Sequence, residues 1–343
     1  MKDGSFSGLL QLQEVIRKAY ECKASGITMA PDSNVMIRVN GKLRVMDDYV
    51  ITEDDIIQIC LDYIKKDVQD KYTTRKSYSI SLVVDNKIRV RLQFYDSYNG
   101  MCISCKLVPT VPKTMEELAI PPVIQQWISG SGITVVSGLA DTGKTTTLSA
   151  IVDYINTNMV EKVIILEDPV EYQHRNKMSL ILTREVGTNT PTYTDGLRDI
   201  LRGEDVDTVV VGAVRNAQTM ESVFAIAESG IRVFTVIPAP SVVGAIERIA
   251  NMFPLSDYER VCRRLSTTLN GILVQKLLPK LGGGRVLAAE IFTNVEVTNH
   301  LLHDGKMKEI NNELDTRGAA DLCSMREYEK KLEEQGLVLY HTS

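Results

Sequence analysis

The sequence has no long apolar run and no basic leader segment. Its apolar stretches, such as "ITVVSGLA", are far shorter than the roughly 20 residues that a membrane-spanning helix needs. The start, "MKDGSFSGLL", lacks the basic segment and following apolar segment that are typical of a signal peptide. Six cysteines are spread along the chain without an extracellular signature, which favours a reducing compartment. We therefore expect a cytoplasmic protein.

The chain also has no excess of positive charge. The chain has 39 lysines and arginines against 44 aspartates and glutamates, and its net charge is −5. A protein that binds nucleic acid needs a basic surface to neutralise phosphates. Nucleic acid is therefore not an expected partner. The hydrophobic content of 44% is ordinary for a globular chain with a sizeable core.

Two sets of candidate metal ligands are weak. Cys102 and Cys105 have no second ligand pair at zinc spacing, and on a strand their thiols would point to opposite faces. They are interpreted as structural cysteines. His300 and His303 are one helical turn apart with only Asp304 as a nearby third ligand, which favours surface or packing histidines.

A length of 343 residues predicts two domains, and a proline-rich segment divides the chain. "PTVPKTMEELAIPP" carries four prolines, which is typical of a linker, here placed at residues 109–121. Before it, residues 1–108 are predicted to form a small α+β domain. After it, alternating strands and helices predict an α/β domain with a parallel sheet at residues 122–305, and a charged helical tail at 306–343.

In the small domain, periodicity predicts two helices and two hairpins. The first helix has four apolar residues at helical spacing: Leu12, Val15, Ile16 and Ala19. Asn40-Gly41 and Asp85-Asn86 are predicted turns between strands, and the second helix follows Thr52. In the second hairpin, alternation sends three polar residues to the face opposite the core: Arg89, Arg91 and Gln93. Such a row of polar side chains is first interpreted as a solvated surface.

In the α/β domain, the pattern alternates between short apolar runs and amphipathic stretches. Strands are predicted near residues 133–137, 162–167, 207–212 and 232–237. Helices are predicted at residues 144–157, 193–202, 216–229, 240–251 and 256–268.

The most specific motif is a phosphate-binding loop between the first strand and the first helix of this domain. Gly138, Gly143, Lys144 and Thr145 match the pattern G-x-x-x-x-G-K-[ST]. Backbone N–H groups of such a loop bind phosphates, the lysine reaches the β- and γ-phosphates, and the hydroxyl of Thr145 ligates Mg²⁺. The predicted nucleotide-binding residues are Gly138, Leu139, Ala140, Asp141, Thr142, Gly143, Lys144, Thr145 and Thr146.

Asp141 is unexpected within this loop because its carboxylate lies beside the polyanionic phosphates. Aspartate tolerates a left-handed backbone better than most residues, so the loop geometry is expected to survive. We expect nucleotide binding to be weaker than with a neutral residue at this position.

The chain resembles the retraction ATPases of type IV pili, hexameric motors within the secretion ATPase superfamily, over nearly its whole length. "ILEDPVEY" resembles the family's acidic box, and the later segments match it in order: "TREVG", "GLRDILR", "RIANMFP", "LVQKLLPK" and "GRVLAAEI". "CKASGITM" and "VMIRVNGKLR" occupy the places of its small-domain motifs. The resemblance implies an α/β fold, in which a RecA-like P-loop NTPase domain follows a small α+β (PAS-like) domain and precedes a helical tail.

The resemblance also implies which residues would act on ATP and Mg²⁺. Asp168 matches the acidic box and joins Thr145 as a metal ligand, while Glu167 is a catalytic candidate in the same box. The family holds ATP between subunits, where arginines of the small domain contact it. One of these matches Arg91, now interpreted as an interface cation, and the second matches Lys106, which lacks the bidentate geometry of a guanidinium.

The chain departs from the family where hydrolysis is expected. The glutamate after the strand "TVVV", which is the family's water-activating base, is Ala213 here, and the Arg-Asp pair that follows is Arg215-Asn216. Two histidines of the family are Ile231 and Pro238. Since losing a positioned base costs about 10²–10⁴ in rate, these four changes in one site predict binding without efficient hydrolysis. In the tail region, "VTNHLLHD" matches the family's retraction-associated motif only loosely, because His303 replaces an arginine.

These expectations combine into an ATP-binding subunit of a pilus retraction motor that hydrolyses ATP poorly and acts as an accessory or regulatory partner. The resemblance implies a hexameric ring, alone or mixed with an active paralogue, at the inner face of the cell membrane beside an inner-membrane platform protein of the pilus. The alternative is an active retraction motor with a rearranged site, in which Glu167 orients the water. A pilus extension or type II secretion ATPase fits less well, because the N-terminal module and four-cysteine insert of those proteins are not found.

Overall fold

The structure, a computed structural model, describes residues 8–39, 41–63, 77–85, 88–108, 111–203 and 205–339. The chain divides into two compact units, residues 1–110 and 111–343. The domain boundaries stated above stay predictions. Asn40 and Asn86, predicted in turns, lie outside the described residues. Among the described helices, none is both long and apolar enough to span a membrane.

The first unit is an antiparallel sheet with two helices. Its strand order is β3-β2-β1-β6-β5-β4. The strands are β1 (Gly26–Met29), β2 (Ser33–Val39), β3 (Lys42–Ile51), β4 (Ser77–Val84), β5 (Ile88–Ser97) and β6 (Gly100–Val108). The helices are α1 (Gly8–Glu21) and α2 (Glu53–Tyr63). The prediction of α1 is confirmed, because its four periodic apolar residues are fully buried.

Strand β5 alternates between the core and the opposite face, as its sequence predicts. Leu92 and Phe94 are fully buried in the core, whereas Gln93 is exposed. Arg91 pairs directly with Lys106 of β6 and is half-buried. The prediction of a solvated surface is wrong at Arg89, because only 8% of this residue is exposed. The alternation thus gives the face of a side chain and not its exposure.

The two cysteines of β6 lie on opposite faces, as their spacing predicts. Cys105 belongs to the core, where burial raises the pKa of its thiol to about 12. Cys102 Sγ instead lies 3.4 Å from Ser97 Oγ. The pair therefore does not converge on one ligand.

The second unit is a mixed sheet flanked by helices, with strand order β14-β13-β12-β7-β11-β10-β8-β9. The strands are β7 (Gly132–Gly138), β8 (Lys162–Glu167), β9 (Leu180–Glu185), β10 (Thr208–Val211), β11 (Arg232–Ile237), β12 (Leu269–Pro279), β13 (Arg285–Thr293) and β14 (Leu322–Cys323). The helices are α3 (Val123–Ser129), α4 (Lys144–Asn158), α5 (Tyr193–Gly203), α6 (Ala217–Glu228), α7 (Val242–Ala250), α8 (Tyr258–Thr268), α9 (Glu296–His303), α10 (Met307–Arg317) and α11 (Met325–Glu334), and a short 3₁₀ helix spans Leu255–Asp257.

The strands and helices predicted for this unit are confirmed to within two residues at each end. Sequence reasoning did not identify β9 or the hairpin of β12 and β13. The tail, expected to be helical, contains α10 and α11 but also β14, which pairs antiparallel with β13. The sheet is therefore parallel from β12 to β9 and antiparallel at its other edge.

The parallel order brings the candidate functional segments together. Because the carboxyl ends of parallel strands lie at one edge of a sheet, the residues after β7, β8, β10 and β11 meet there. The phosphate loop follows β7, the acidic box ends β8, and Ala213 follows β10.

Strand β12 packs closely against the single tryptophan, Trp127. A Cβ atom added at Gly271 would lie 2.4 Å from the ring atoms Cε2 and Cζ2 of Trp127 and 2.7 Å from the carbonyl oxygen of Phe292. The indole of Trp127 donates a hydrogen bond of 3.2 Å to Thr293 Oγ1. Glycine is therefore needed at position 271 for space.

We predict that Gly271→Ala lowers the free energy of unfolding by about 1–3 kcal/mol, because overpacking forces the neighbouring side chains to move. Urea unfolding followed by the fluorescence of Trp127 measures both the stability and the displaced ring. Gly130→Ala is the matched control, since no heavy atom lies within 4 Å of its added Cβ. Equal stability of the two variants would contradict the prediction.

Candidate nucleotide site

The phosphate loop has the backbone that its glycines allow. Gly138 has φ 135° and Gly143 has φ 88°, both in the region that favours glycine. Asp141 also has positive φ, at 60°, as expected for an aspartate in this loop. Helix α4 begins at Lys144 with Gly143 as its N-cap, so its first free N–H groups face the loop and suit an anion.

Lys144 is held by its own loop. Its ammonium group donates a hydrogen bond to the carbonyl oxygen of Leu139, which also accepts one of 3.0 Å from Thr142 Oγ1. Burial lowers the pKa of Lys144, while the carboxylate of Asp141 acts to raise it. A bound phosphate would replace the Leu139 carbonyl as the partner of the ammonium group.

Glu167 of the acidic box is fixed at the end of β8. Only 9% of it is exposed, and its Oε2 accepts a hydrogen bond of 3.2 Å from the N–H of Glu171. Gly212 lies against it, since a Cβ atom there would be 3.2 Å from Glu167 Cγ. The side chain of Glu167 therefore packs against the residue that follows β10.

A pocket of about 260 Å³ surrounds the position of the expected base. Ala213, Asp168, Arg215 and Asn216 all line it. Tyr193 lines it too, and burial, together with the nearby carboxylates of Asp168 and Glu167, raises the pKa of its phenol. Ala213 itself brings only a methyl group to this pocket.

Asn216 has a structural role in the same place. Its side-chain oxygen accepts a hydrogen bond of 2.9 Å from the N–H of Thr219, and it is the N-cap of α6. Asparagine is a strong N-cap residue. The helix start therefore does not need the aspartate that the resemblance implies at this position.

The four residues at which the chain departs from the family do not all lie at the same edge of the sheet. Pro238 follows β11 at the carboxyl edge, on the same side as Ala213 and Asn216. Ile231 precedes the strand, and the six residues of β11 place it roughly 20 Å away. The prediction that Ile231 belongs to the same site is corrected, because motif spacing did not show at which end of the strand it lies.

The remaining predicted site residues lie on helix α4, in the pocket of Ala213 and on the sheet of the first unit. Thr145 and Thr146 are in the first turn of α4. Asp168, by contrast, lines the pocket of Ala213. Arg91 and Lys106 are neighbours on the sheet of the first unit.

The segment at residues 172–177, which begins at the last residue of the acidic box, contacts helix α4, and sequence reasoning did not identify these contacts. Tyr172 and Thr146 share a hydrogen bond of 3.0 Å between their hydroxyl oxygens. Asn156, fully buried, donates to the carbonyl of Arg175 at 2.8 Å and accepts from the N–H of Lys177 at 2.9 Å. The sequence did contain a signal for these contacts, because Asn156 is a polar residue within the apolar face of α4.

His174 of this segment is held in its neutral form. Its Nε2 lies 3.4 Å from Ser149 Oγ of α4. Burial lowers its pKa to about 4, and the neighbouring charges of Asp153 and Lys177 oppose each other. The attachment of the segment to α4 is therefore sensitive to acid.

Comparisons with known proteins agree on the family and the fold. A family model described as "Type II/IV secretion system protein" matches residues 9–335. The chain is 28% identical over 335 residues to the "Type IV pilus retractation ATPase PilT" of Pseudomonas aeruginosa, with 96% of each chain covered. It is 25% identical to the "Type IV pilus ATPase PilU" of the same organism, over 88% of this chain and 79% of the relative.

A solved structure supports the same comparison. The "Crystal Structure of the Pilus Retraction Motor PilT and Bound ADP" has a TM-score of 0.85 and 29% identity, with 95% of this chain and 94% of that chain covered. The "Legionella pneumophila ATPase DotB" has a TM-score of 0.83 at 20% identity and supports the fold alone. The predicted α/β fold is thus confirmed, while the PAS-like description of the first unit stays a prediction.

We predict that Asp141→Asn binds Mg-ATP about threefold to tenfold more tightly, because it removes a carboxylate beside the phosphates, an effect of about 1 kcal/mol. Asparagine keeps the left-handed backbone. Isothermal titration calorimetry at low and high salt measures the gain, which should shrink with salt because Asp141 is exposed. Asp205→Asn, another exposed carboxylate, is the control. Unchanged or weaker binding by Asp141→Asn would contradict the prediction.

We predict that the protein loses stability between about pH 6.5 and pH 4 because of His174. Unfolded histidine takes up a proton near 6.5, whereas folded His174 does so near 4, so acid favours the unfolded chain. Between about pH 7 and pH 4.5 this difference is about 2 kcal/mol. In urea unfolding at both pH values, His174→Gln should lose that much less stability than the parent. The exposed His300→Gln should behave like the parent. An identical loss in His174→Gln would show that His174 is not responsible.

Proposed function

We propose that this chain, which belongs to the family of type II/IV secretion system proteins, is an ATP-binding subunit of a type IV pilus retraction motor whose own hydrolysis is impaired. One observation carries the proposal. The phosphate loop keeps its geometry, whereas the edge where a base is expected presents the methyl group of Ala213 beside Asp168.

The residues of the loop suit a bound nucleotide. A Cβ atom at Gly138 would lie 2.5 Å from the backbone oxygen of Gln275, so the loop depends on glycine to rest on β12. The start of α4 and the ammonium group of Lys144 provide positive potential for phosphates. Thr145 is the proposed ligand of Mg²⁺ in the loop, and Asp168 is the proposed second group.

Hydrolysis is expected to be weak because the described carboxylates near Ala213 are poor replacements for the lost base, and Asp168 is already the proposed second group for Mg²⁺. Glu167 is largely buried, and its Oε2 already accepts the N–H of Glu171. With 9% of the residue exposed, little of this carboxylate is accessible to a water molecule. Glu167 is therefore a candidate for residual turnover and not a substitute of equal strength.

The proposed assembly is a hexameric ring, homomeric or mixed with an active paralogue. The neighbouring cations Arg91 and Lys106 are proposed to contact the nucleotide of an adjacent subunit. In the mixed case the chain is an accessory or regulatory subunit. We propose a cytoplasmic position at the inner face of the cell membrane, next to the inner-membrane platform protein of the pilus.

We predict that the purified protein binds Mg-ATP but releases phosphate slowly, and that Lys144→Ala abolishes binding. Ala213→Glu should raise phosphate release by about 10²-fold or more, because a positioned base contributes about 10²–10⁴. Ala213→Gln is the control, since it has a similar size and no base. Steady-state phosphate release and equilibrium binding measure these outcomes.

The same experiment tests the alternative of an active motor. Turnover of about 1 per second or faster in the parent, abolished by Lys144→Ala and not increased by Ala213→Glu, would favour a rearranged active site. Loss of that turnover in Glu167→Gln would then identify its base.

A further inference from the structure

Gln275 is a polar residue in the buried part of strand β12, directly below the phosphate loop. Only 3% of it is exposed, and its preceding neighbours Leu273 and Val274 belong to the core. In the register of the sheet, Gln275 is the partner of Gly138, the first residue of the loop motif. A carboxamide in such a strand needs a reason, because burying it removes its hydrogen bonds to water.

The side chain contacts the part of the loop that precedes helix α4. Gln275 Nε2 donates a hydrogen bond of 3.3 Å to the carbonyl oxygen of Thr142. In a trans peptide unit, the carbonyl of one residue and the N–H of the next point in opposite directions. A Thr142 carbonyl directed at β12 therefore directs the N–H of Gly143 away from β12, towards the side of the loop that would hold a phosphate.

The oxygen of the carboxamide does not explain the glutamine. Gln275 Oε1 is buried and has no hydrogen-bond partner among the described residues. Turning the amide over would bring this oxygen against the carbonyl oxygen of Thr142, where two acceptors repel. An apolar side chain of the same length would avoid the unsatisfied acceptor. Among the described contacts of this side chain, the hydrogen bond to Thr142 is thus the one that explains the glutamine.

We propose that Gln275 is a positioning residue of the nucleotide site, which fixes the peptide between Thr142 and Gly143 so that its N–H serves as a phosphate donor. The inference rests on the proposed binding of ATP by the phosphate loop. Gln275 acts through the loop backbone and does not contact the nucleotide.

The decisive variant is Gln275→Met, which keeps the length and approximate volume of the side chain but removes both polar ends. We expect its affinity for Mg-ATP to fall about threefold to tenfold, as the loss of one oriented hydrogen bond implies. The melting temperature without nucleotide should stay the same or rise, because the unsatisfied acceptor is gone. Binding and stability then move in different directions, which a purely structural role would not produce.

Gln275→Glu is the second variant, nearly identical in shape. It replaces the donor by an acceptor and places a carboxylate below the phosphates, so its affinity should fall more than that of Gln275→Met. Thr134→Val is the matched control. Thr134 Oγ1, on the adjacent strand β7, is likewise buried and without a partner in the described part of the chain. Its removal should leave Mg-ATP affinity unchanged.

Calorimetric titration with Mg-ATP and thermal unfolding of each purified variant give the answer. Parent-like affinity in Gln275→Met or Gln275→Glu, with a parent that binds, overturns the inference while the proposed function stands. A fall in affinity matched by an equal fall in Thr134→Val also overturns it. If the parent binds no Mg-ATP, the proposed function fails and the inference fails with it.

Discussion

The close approach of strands β7 and β12 at the start of the phosphate loop is the constraint on which the candidate site depends. Gly138 has room only for hydrogen, because the backbone oxygen of Gln275 occupies the place of a side chain. The start of the loop therefore packs directly against the neighbouring strand β12 before α4 begins. Since β11, β10 and β8 continue the same parallel sheet, this contact with β12 also sets the position of the loop relative to Glu167 and Ala213.

The edge of the sheet at Ala213 does not depend on a carboxylate side chain at that position, because other contacts hold it. Helix α6, which begins beside Ala213, is capped by Asn216 and fastened to α8 through Arg264. That arginine bonds Glu221 and Glu228 and lies 4.4 Å above the ring of Phe224. Helix α6 thus keeps its place without a carboxylate at position 213. The contacts that hold this edge are therefore separate from the side chain at position 213.

Local patterns of the sequence predicted the elements better than their partners. Periodicity placed α4, α5 and the strands β8 and β11, because burial of one face repeats at a fixed spacing. It missed β12, whose apolar run fits strand or buried helix equally. It also could not show that Gln275 lies beside Gly138, which precedes it by more than a hundred residues. Likewise, the motif spacing that selected Ile231 carries no information about which end of a strand faces the phosphates.

Two charged groups of the site form hydrogen bonds within their own loops. The ammonium group of Lys144 bonds the carbonyl of Leu139, and Glu167 accepts the N–H of Glu171. A nucleotide must therefore exchange these internal hydrogen bonds for its own, so the affinity is a small difference between larger interactions. In such a balance, a donor that fixes one peptide or a carboxylate that repels one phosphate changes the affinity severalfold. This is why residues that never touch the nucleotide, such as Gln275, can set how well the site binds it.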